Sequence, residues 1–290
     1  MGDQKFLIAA FYKFTKVSLL FELQTEFYKF LENLNIKGTV LLAEEGINGT
    51  VSGSSESIAK FKNFLFEKDL LSESDFKVSS ADFMPFPRLK VKLKKEIVTI
   101  GNCEINPGKK VGEYVDPLDW NQLITDEDVL VLDTRNTYEV SIGSFEGAIQ
   151  PETTNFREFP EWAETEGSKL PKDKKIAMFC TGGIRCEIAS SFMMNEGFKD
   201  VYQLDGGILR YLKDAQDENL WEGECFVFDE RVTVDKDLKP GNFLQCFGCR
   251  RPLSKTDLES KYYENAKINT SDRTNTFEKS FDAYRSYNKL

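Results

Sequence analysis

Apolar and polar residues alternate with two different periods along the first hundred residues, and the changes of period predict strands and helices in turn. A strand is predicted over residues 5–14, followed by a helix that Ser18 caps and that ends near Leu34. The next two strands are predicted on either side of Asn48-Gly49, a dipeptide typical of hairpin turns. A second helix over residues 57–66 and a last strand region over residues 76–100 complete the order βαββαβ.

The second half of the chain has short apolar strands separated by helical patterns, which predicts a parallel α/β sheet. The strands are predicted at residues 129–132, Lys175–Phe179 and Val201–Leu204. The helices are predicted at residues 120–124, where Asp119 is the expected cap, and at residues 137–142, 157–164, 184–196 and 207–213.

The two patterns predict separate domains. Gly, Pro and Asn cluster around residues 101–117, which indicates a linker, and 290 residues are enough for more than one hydrophobic core. We expect an α+β domain followed by an α/β domain. The first is a ferredoxin-like (acylphosphatase-like) βαββαβ domain over residues 1–110, the second has a central parallel sheet over residues 111–222, and a small C-terminal segment covers residues 223–290.

The formal net charge of −10 is unlike that of a general nucleic-acid binder, so any RNA contact requires a local basic surface. One segment, RLKVKLKK, offers such a surface. Its basic residues recur at every second position, so a strand would place them on one face: Arg88, Lys90, Lys92 and Lys94. Two interpretations stay open, a solvated face of an amphipathic strand and a surface that contacts RNA phosphates.

The chain contains no histidine, which excludes Ser-His-Asp and Cys-His catalysis and every His-ligated metal site. Its six cysteines are sparse, which favours catalysis or metal binding over a disulfide framework. No apolar run is long enough for a membrane helix and no signal-peptide pattern is present, so we expect a cytoplasmic protein without membrane contact.

The segment KKIAMFCTGGIRCEIASSFMM carries the strongest chemical signal. Cys180 follows a predicted strand directly, at the carboxyl end where open α/β sheets place their sites. The next residues form a glycine-containing loop whose backbone N–H groups can point at an anion: Thr181, Gly182, Gly183 and Ile184. The following helix end and Arg185 add positive charge, so Cys180 is predicted to be a reactive thiolate or persulfide.

The number of loop residues separates two kinds of chemistry. Cysteine phosphatases place five residues between the cysteine and the arginine, whereas four lie between Cys180 and Arg185. The shorter loop suits a single sulfur-sized anion better than a phosphate. Cys186 is either a residue that resolves an oxidised or persulfidated Cys180, or a small buried side chain in the first helical turn.

These residues resemble a rhodanese domain, through LDTRNTYEVSIGSFEGAI, FCTGGIRCE and LDGGILRYL. Together with AEEGINGTVSG, RLKVKLKKEIVT, NFREFPEW and CRRPLS, they resemble the tRNA uridine hydroxylase family more closely still. That resemblance implies oxygen-dependent 5-hydroxylation of the wobble uridine of tRNA, with dioxygen as co-substrate, tRNA as partner and Cys180 as the active-site cysteine. It also implies that Asp133, Arg135 and Glu139 form structural ion pairs.

The C-terminal segment departs from the family pattern. Its members commonly end in two CxxC pairs with zinc-ribbon spacing, and here Cys246 and Cys249 form the first pair. Asn269 and Asp272 stand where the second pair is expected. Two thiolates with an aspartate and an asparagine make a poor zinc site, so we expect no zinc, with Cys246 and Cys249 as weak candidates.

Three functions remain open on the sequence. The first is a tRNA uridine hydroxylase that uses Cys180 and Arg185. The second is a thiosulfate-type sulfurtransferase that carries a persulfide on Cys180, and the third is an RNA-binding module without catalysis. The sequence shows neither a dinucleotide fingerprint nor a facial triad of iron ligands, and the cofactor and the oligomeric state are left open.

Overall fold

The computed structural model describes residues 5–101, 110–246, 248 and 250–260. Its first sheet has five strands in the order β4-β1-β3-β2-β5, in which β5 runs parallel to β2 and the other pairs are antiparallel. The strands are β1 (Phe6–Phe14), β2 (Lys37–Ala43), β3 (Gly46–Gly53), β4 (Phe76–Ala81) and β5 (Leu89–Leu93). Two helices, α1 (Leu20–Asn33) and α2 (Ser55–Glu67), pack on one face of this sheet.

The alternation of side chains across the first sheet separates a core face from an open face. Phe11, Val40 and Ile47 are buried with Phe27 of α1 and Phe61 of α2. The residues next to them in each strand point to the opposite face, which no helix of the first domain covers. This arrangement confirms the expected ferredoxin-like fold, and β5 extends it by one strand.

Three details of the first domain differ from the sequence-based expectation. The predicted last strand region divides into β4 and β5, and β5 ends at Leu93. Helix α1 begins at Leu20 after Leu19, which has a positive φ of 54° and no side-chain capping bond, so the prediction that Ser18 caps the helix is wrong.

The predicted turn at Asn48-Gly49 is also wrong, because both residues lie inside β3 and the chain turns at residues 44–45 instead. Asn48 pairs with strands on both sides and donates its side-chain N–H to the carbonyl oxygen of Ile97 at 2.8 Å. Gly49 lies under Phe11, whose ring would be 2.7 Å from a Cβ atom at that position. Packing of Phe11 therefore accounts for the glycine, and it outweighs the local turn preference.

The second sheet is entirely parallel, as expected, with the order β6-β10-β9-β7. Its strands are β6 (Glu113–Val115), β7 (Val129–Asp133), β9 (Lys175–Phe179) and β10 (Val201–Leu204), and β8 (Gly143–Phe145) pairs separately with β11 (Trp221–Gly223). Helices cover both faces: α3 (Pro117–Ile124), α4 (Thr137–Val140), α5 (Phe159–Thr165), α6 (Ile184–Asn195) and α7 (Gly207–Asp214). Asp116 caps α3 in place of the predicted Asp119, because Pro117 already occupies the first helical position.

The C-terminal segment joins both domains. It contains β12 (Cys225–Phe226), β13 (Thr233–Val234), β14 (Leu244–Gln245), β15 (Pro252–Leu253) and α8 (Lys255–Glu259). Cys225 and Val234 are buried in the core of the second domain. Arg231 forms a buried ion pair with Asp229 and donates to the Ser79 hydroxyl on the first sheet at 3.1 Å. Within the described residues, no helix is long and apolar enough to cross a membrane.

Candidate active site

The cysteine loop has the strand–loop–helix geometry that the sequence predicts. Cys180 follows β9 directly, and α6 begins at Ile184. Gly183 has a φ of +97°, which favours glycine, and its backbone N–H donates to Cys180 Sγ at 3.1 Å. A Cβ atom on Gly182 would meet no atom within 4 Å, so the space in front of the loop is open.

The start of α7 supports the same loop from behind. The backbone N–H groups of Ile208 and Leu209 donate to the carbonyl oxygens of Cys180 and Thr181 at 3.0 and 3.1 Å. Gly207 has a φ of +64°, and a Cβ atom there would lie 2.5 Å from the Cys180 carbonyl oxygen. The close approach of the two backbones therefore requires a glycine at position 207, the first residue of α7.

The surroundings of Cys180 favour its thiolate. Burial opposes ionisation, but a hydrogen bond from the Cys186 thiol, the charge of Arg185 and the backbone N–H groups of both residues together lower the pKa of Cys180 to about 6. These groups replace the absent imidazole, so the thiol is ionised at neutral pH without a histidine.

Arg185 is held in place by Glu139. Its two terminal nitrogens donate to the two Glu139 carboxylate oxygens at 2.8 and 2.7 Å. Both residues are buried, and Thr181 donates its hydroxyl to the same carboxylate at 3.3 Å. Burial by itself would raise the pKa of Glu139. The charge and hydrogen bonds of Arg185, with a smaller contribution from Arg135, have the larger effect, so the pKa is lowered. Arg185 thus acts on Cys180 as a cation in a fixed position.

The neighbouring acidic and basic residues divide between two tasks. Asp133 and Arg135 form a fully buried ion pair with a contact of 2.6 Å, and Arg135 also donates to the Gly143 carbonyl oxygen. This pair matches the structural role expected for it. Glu139 also forms a buried ion pair, as expected, but its partner is Arg185, so this pair lies at the cysteine loop.

Cys186 is buried in the first turn of α6 and is in hydrogen-bond contact with Cys180. Burial and the neighbouring Cys180 raise its pKa, so it stays a neutral thiol that donates to the Cys180 thiolate. Its sulfur also lies 3.7 Å from the Thr134 hydroxyl oxygen. The packing role is therefore present, and the resolving role stays a prediction.

A cleft of about 1480 Å³ lies between the cysteine loop and the open face of the first sheet, beside the contact of Tyr12 with Gly183. Cys180, itself 1% exposed, lies in its wall together with Gly182 and Arg185. Residues of the C-terminal segment, including Phe228 and Arg231, complete the lining. A substrate that reaches Cys180 must therefore enter between the two domains.

Three polar residues at the seam between the domains were not found from the sequence. Tyr12 and Tyr114 donate their hydroxyls to the Glu187 carboxylate at 2.9 and 2.8 Å. Burial raises the pKa of Glu187, against the effect of these hydrogen bonds. Lys77 lies over the Tyr12 ring at 4.6 Å. Tyr12, Tyr114 and Glu187 come from β1, β6 and α6. Two sequence signals bear on them: Tyr12 lies on the alternate face of an apolar strand, and Glu187 ends the FCTGGIRCE motif.

The predicted basic surface lies at the edge of the first sheet. Lys90 and Lys92 are on β5 and Arg88 and Lys94 flank it, whereas Val91 between them is buried against the helices. The pKa of Lys90 is lowered, mainly by partial burial and to a smaller extent by the neighbouring charges of Arg88, Lys92 and Arg250. The structure thus gathers several positive charges here, on the face away from the helices.

The C-terminal cysteines provide less information. Cys246 is partly exposed next to the β14–β15 hairpin, and Cys249, Asn269 and Asp272 lie outside the described residues. No group of three potential metal ligands occurs in the part of the chain that the structure describes. The expectation that zinc is absent stays a prediction.

Comparison with known proteins defines the class of this fold and site. The model of the UPF0176 acylphosphatase like domain matches residues 6–97, and that of the rhodanese-like domain matches residues 116–214. The chain therefore joins an acylphosphatase-like domain to a rhodanese-like domain that contains the Cys180 loop.

Relatives that align over most of the chain give the family. A tRNA uridine(34) hydroxylase of Rhizobium leguminosarum bv. trifolii is 51% identical over 260 residues, which cover 89% of this chain and 84% of that protein. One from Picosynechococcus sp. is 49% identical over 260 residues, covering 89% and 87%. The chain belongs to the tRNA uridine(34) hydroxylase family, as the sequence motifs indicated.

Proposed function

We propose that this protein hydroxylates uridine 34 of tRNA at carbon 5, with dioxygen as co-substrate and Cys180 as the reactive group. One oxygen atom of dioxygen enters the uracil, and a two-electron donor reduces the other to water. The observation that carries the proposal is the 51% identity to a tRNA uridine(34) hydroxylase over 260 residues, an alignment that covers 89% of this chain. A tRNA substrate also favours the cytoplasmic location expected from the sequence.

The position of Cys180 supports a direct role in the reaction. A thiolate at neutral pH is a strong nucleophile, and it lies in the wall of a cleft that both domains form. Arg185, held by Glu139, and the loop N–H groups stabilise an anion there, whether it is the thiolate or a terminal persulfide sulfur.

The basic surface of Arg88, Lys90, Lys92 and Lys94 supports tRNA as the partner. It concentrates positive charge on β5 and the two residues that flank it, in a chain whose net charge is −10. Lysine and arginine contacts to phosphates supply the electrostatic part of RNA affinity.

Mass spectrometry of tRNA nucleosides tests the proposal in cells. We expect total tRNA from a deletion strain to lack 5-hydroxyuridine and nucleosides derived from it, and a plasmid copy of the wild-type chain to restore them. Unchanged levels in the deletion strain would show that this chain does not perform the reaction.

Sulfur transfer is a second candidate, favoured by the anion-binding geometry around Cys180 Sγ. In that reaction the thiolate attacks the outer sulfur of thiosulfate, sulfite leaves, and the persulfide passes its sulfur to cyanide or a thiol. Purified protein with thiosulfate and cyanide would form thiocyanate. Absence of both thiocyanate and a mass increase of one sulfur on Cys180 would exclude this activity.

A further inference from the structure

The open face of the first sheet contains two rows of residues that cross the strands between the Cys180 side and the basic edge. The register of the strands places Tyr12 beside Asn48, Asn48 beside Leu41 and Leu41 beside Lys92. In the second row the order is Lys77, Ala10, Thr50, Thr39 and Lys90. Each row therefore ends in a lysine on β5.

The inner end of the rows touches the cysteine loop. A Cβ atom on Gly183 would lie 2.8 Å from the Tyr12 hydroxyl oxygen, so Tyr12 packs directly on the residue that donates to Cys180 Sγ. Glu187, itself buried, holds this hydroxyl at 2.9 Å, and Lys77 adds a positive charge over the Tyr12 ring. This end is polar and adjacent to the Cys180 sulfur.

The middle of the rows lines the cleft without filling it. Thr39, Leu41, Asn48 and Thr50 are all partly exposed and all belong to the cleft wall. Their hydroxyl and amide groups can donate and accept hydrogen bonds, and Leu41 offers an apolar contact for the face of a base.

The outer end of the rows carries the charge. Thr39 and Leu41 of β2 line the cleft, whereas no residue of β5 does. Lys90 and Lys92, which follow Thr39 and Leu41 in the two rows, therefore lie just outside the cleft. Adjacent strands are about 4.8 Å apart, so Tyr12 and Lys92 are separated by three strand spacings, roughly 14 Å. A few nucleotides of extended RNA span such a distance.

We infer that single-stranded RNA of the tRNA anticodon loop lies across this sheet face, with phosphates at Lys90 and Lys92 and the target base directed over Asn48 and Tyr12 to Cys180. The inference rests on the proposed function and adds Thr39, Thr50, Asn48 and Tyr12 to the RNA site. A splayed base is required because Cys180 is 1% exposed inside the cleft and a stacked base cannot reach it.

Binding of an anticodon stem-loop RNA, followed by fluorescence anisotropy, tests this path on the full chain. We expect Thr39→Glu, which places a negative charge in the middle of one row, to raise the Kd roughly tenfold. Thr25→Glu is the matched control, because Thr25 is exposed on α1 at the opposite face. Its Kd should stay within about twofold of wild type.

The salt dependence of the same Kd tests the outer end. Replacing Lys92 by Gln should reduce the slope of log Kd against log salt by about 1, which is the effect of losing one phosphate contact. Lys29→Gln, a change of equal charge on the exposed side of α1, should leave the slope unchanged.

Crosslinking to the wild-type chain removes any dependence on how the variants fold. An anticodon stem-loop with 4-thiouridine beside position 34 should, after irradiation, label peptides within residues 37–53. Labelling confined to other regions, with Thr39→Glu binding like Thr25→Glu, would overturn the path but not the proposed function. Failure of the wild-type chain to bind the RNA would overturn both.

Discussion

Cys180 and Cys225 are both buried, yet their surroundings drive their ionisation in opposite directions. Burial raises the pKa of Cys225 to about 12, although the charge of Arg135 lowers it in part. Burial also tends to raise the pKa of Cys180, but other groups have a larger effect and lower this pKa to about 6. Both cysteines lie near a buried arginine that is paired with a carboxylate. A nearby cation is therefore not sufficient to ionise a buried thiol.

The difference lies in the hydrogen-bond donors around each sulfur. Cys180 accepts from the Gly183 backbone N–H and from the Cys186 thiol, and the backbone N–H groups at the start of α6 favour its charge. Cys225 lies on a short strand, where its thiol instead donates to the Phe226 carbonyl oxygen at 3.7 Å. The glycine loop and the first turn of α6 direct backbone N–H groups towards the sulfur, which favours the thiolate of a buried cysteine.

The largest expected effect is the loss of tRNA modification in Cys180→Ala. Removing the nucleophile should reduce the level of 5-hydroxyuridine-derived nucleosides by about 100-fold or more in a complemented deletion strain. Cys225→Ala serves as the control, because it removes an equally buried thiol outside the cleft, and it should retain the nucleosides. Normal levels in Cys180→Ala would favour an RNA-binding module without catalysis.

The ion pair that orients Arg185 gives the next largest effect. Glu139→Gln leaves a buried guanidinium without a charged partner, so we expect the free energy of unfolding to fall by about 3–5 kcal/mol. Urea denaturation measures this change. Glu164→Gln, at an exposed position of α5, should stay within about 0.5 kcal/mol of wild type. Equal stability of the two variants would mean that the Glu139–Arg185 pair contributes little.

Much of the second domain could be predicted because buried parallel strands have a simple pattern. Lys175–Phe179 and Val201–Leu204 were predicted with the bounds observed, since each is a short apolar run between polar residues. Asn48-Gly49 failed because its local turn preference is outweighed by the packing of Phe11. The local sequence does not reveal this packing, because Phe11 lies on another strand, 38 residues away from Gly49.

The candidate site likewise has one part that the sequence predicts and one part that it does not. Cys180, Gly183 and Arg185 are contiguous in the chain, so their proximity follows from one loop and its spacing. Tyr12 and Glu187 are 175 residues apart and meet where the two domains are in contact. Their proximity depends on how the domains pack, and single-chain periodicity does not specify that packing.

The conformation of the loop can be tested by adding one methyl group. Gly183→Ala forces an L residue to a φ of +97° and places Cβ 2.8 Å from the Tyr12 hydroxyl, so we expect a loss of about 1–3 kcal/mol of unfolding free energy. Gly182→Ala is the matched control, since its Cβ meets no atom within 4 Å. Thermal or urea unfolding of both variants should therefore separate them, and equal stabilities would contradict the requirement for a positive φ.

A smaller effect is expected from Arg185→Lys. Lysine keeps the charge but cannot make both contacts with Glu139, so the cation becomes less fixed and the pKa of Cys180 should rise. We expect alkylation of Cys180 by iodoacetamide at pH 6 to slow roughly fivefold, as for a rise of one pKa unit. Arg157→Lys, at an exposed position, should leave the rate unchanged. An unaltered rate in Arg185→Lys would show that the loop N–H groups lower the pKa of Cys180 without a fixed arginine.

The most direct test of thiol activation is the pH dependence of alkylation, followed peptide by peptide by mass spectrometry in the wild-type protein. Because the thiolate is the reacting form and the pKa of Cys180 is lowered to about 6, its rate should be half-maximal near that pH and level off by about pH 7. The peptide that contains Cys225, whose pKa is raised, should remain unlabelled over the same range. A Cys180 rate that keeps rising through pH 8.5, as for an ordinary thiol, would contradict activation by the loop.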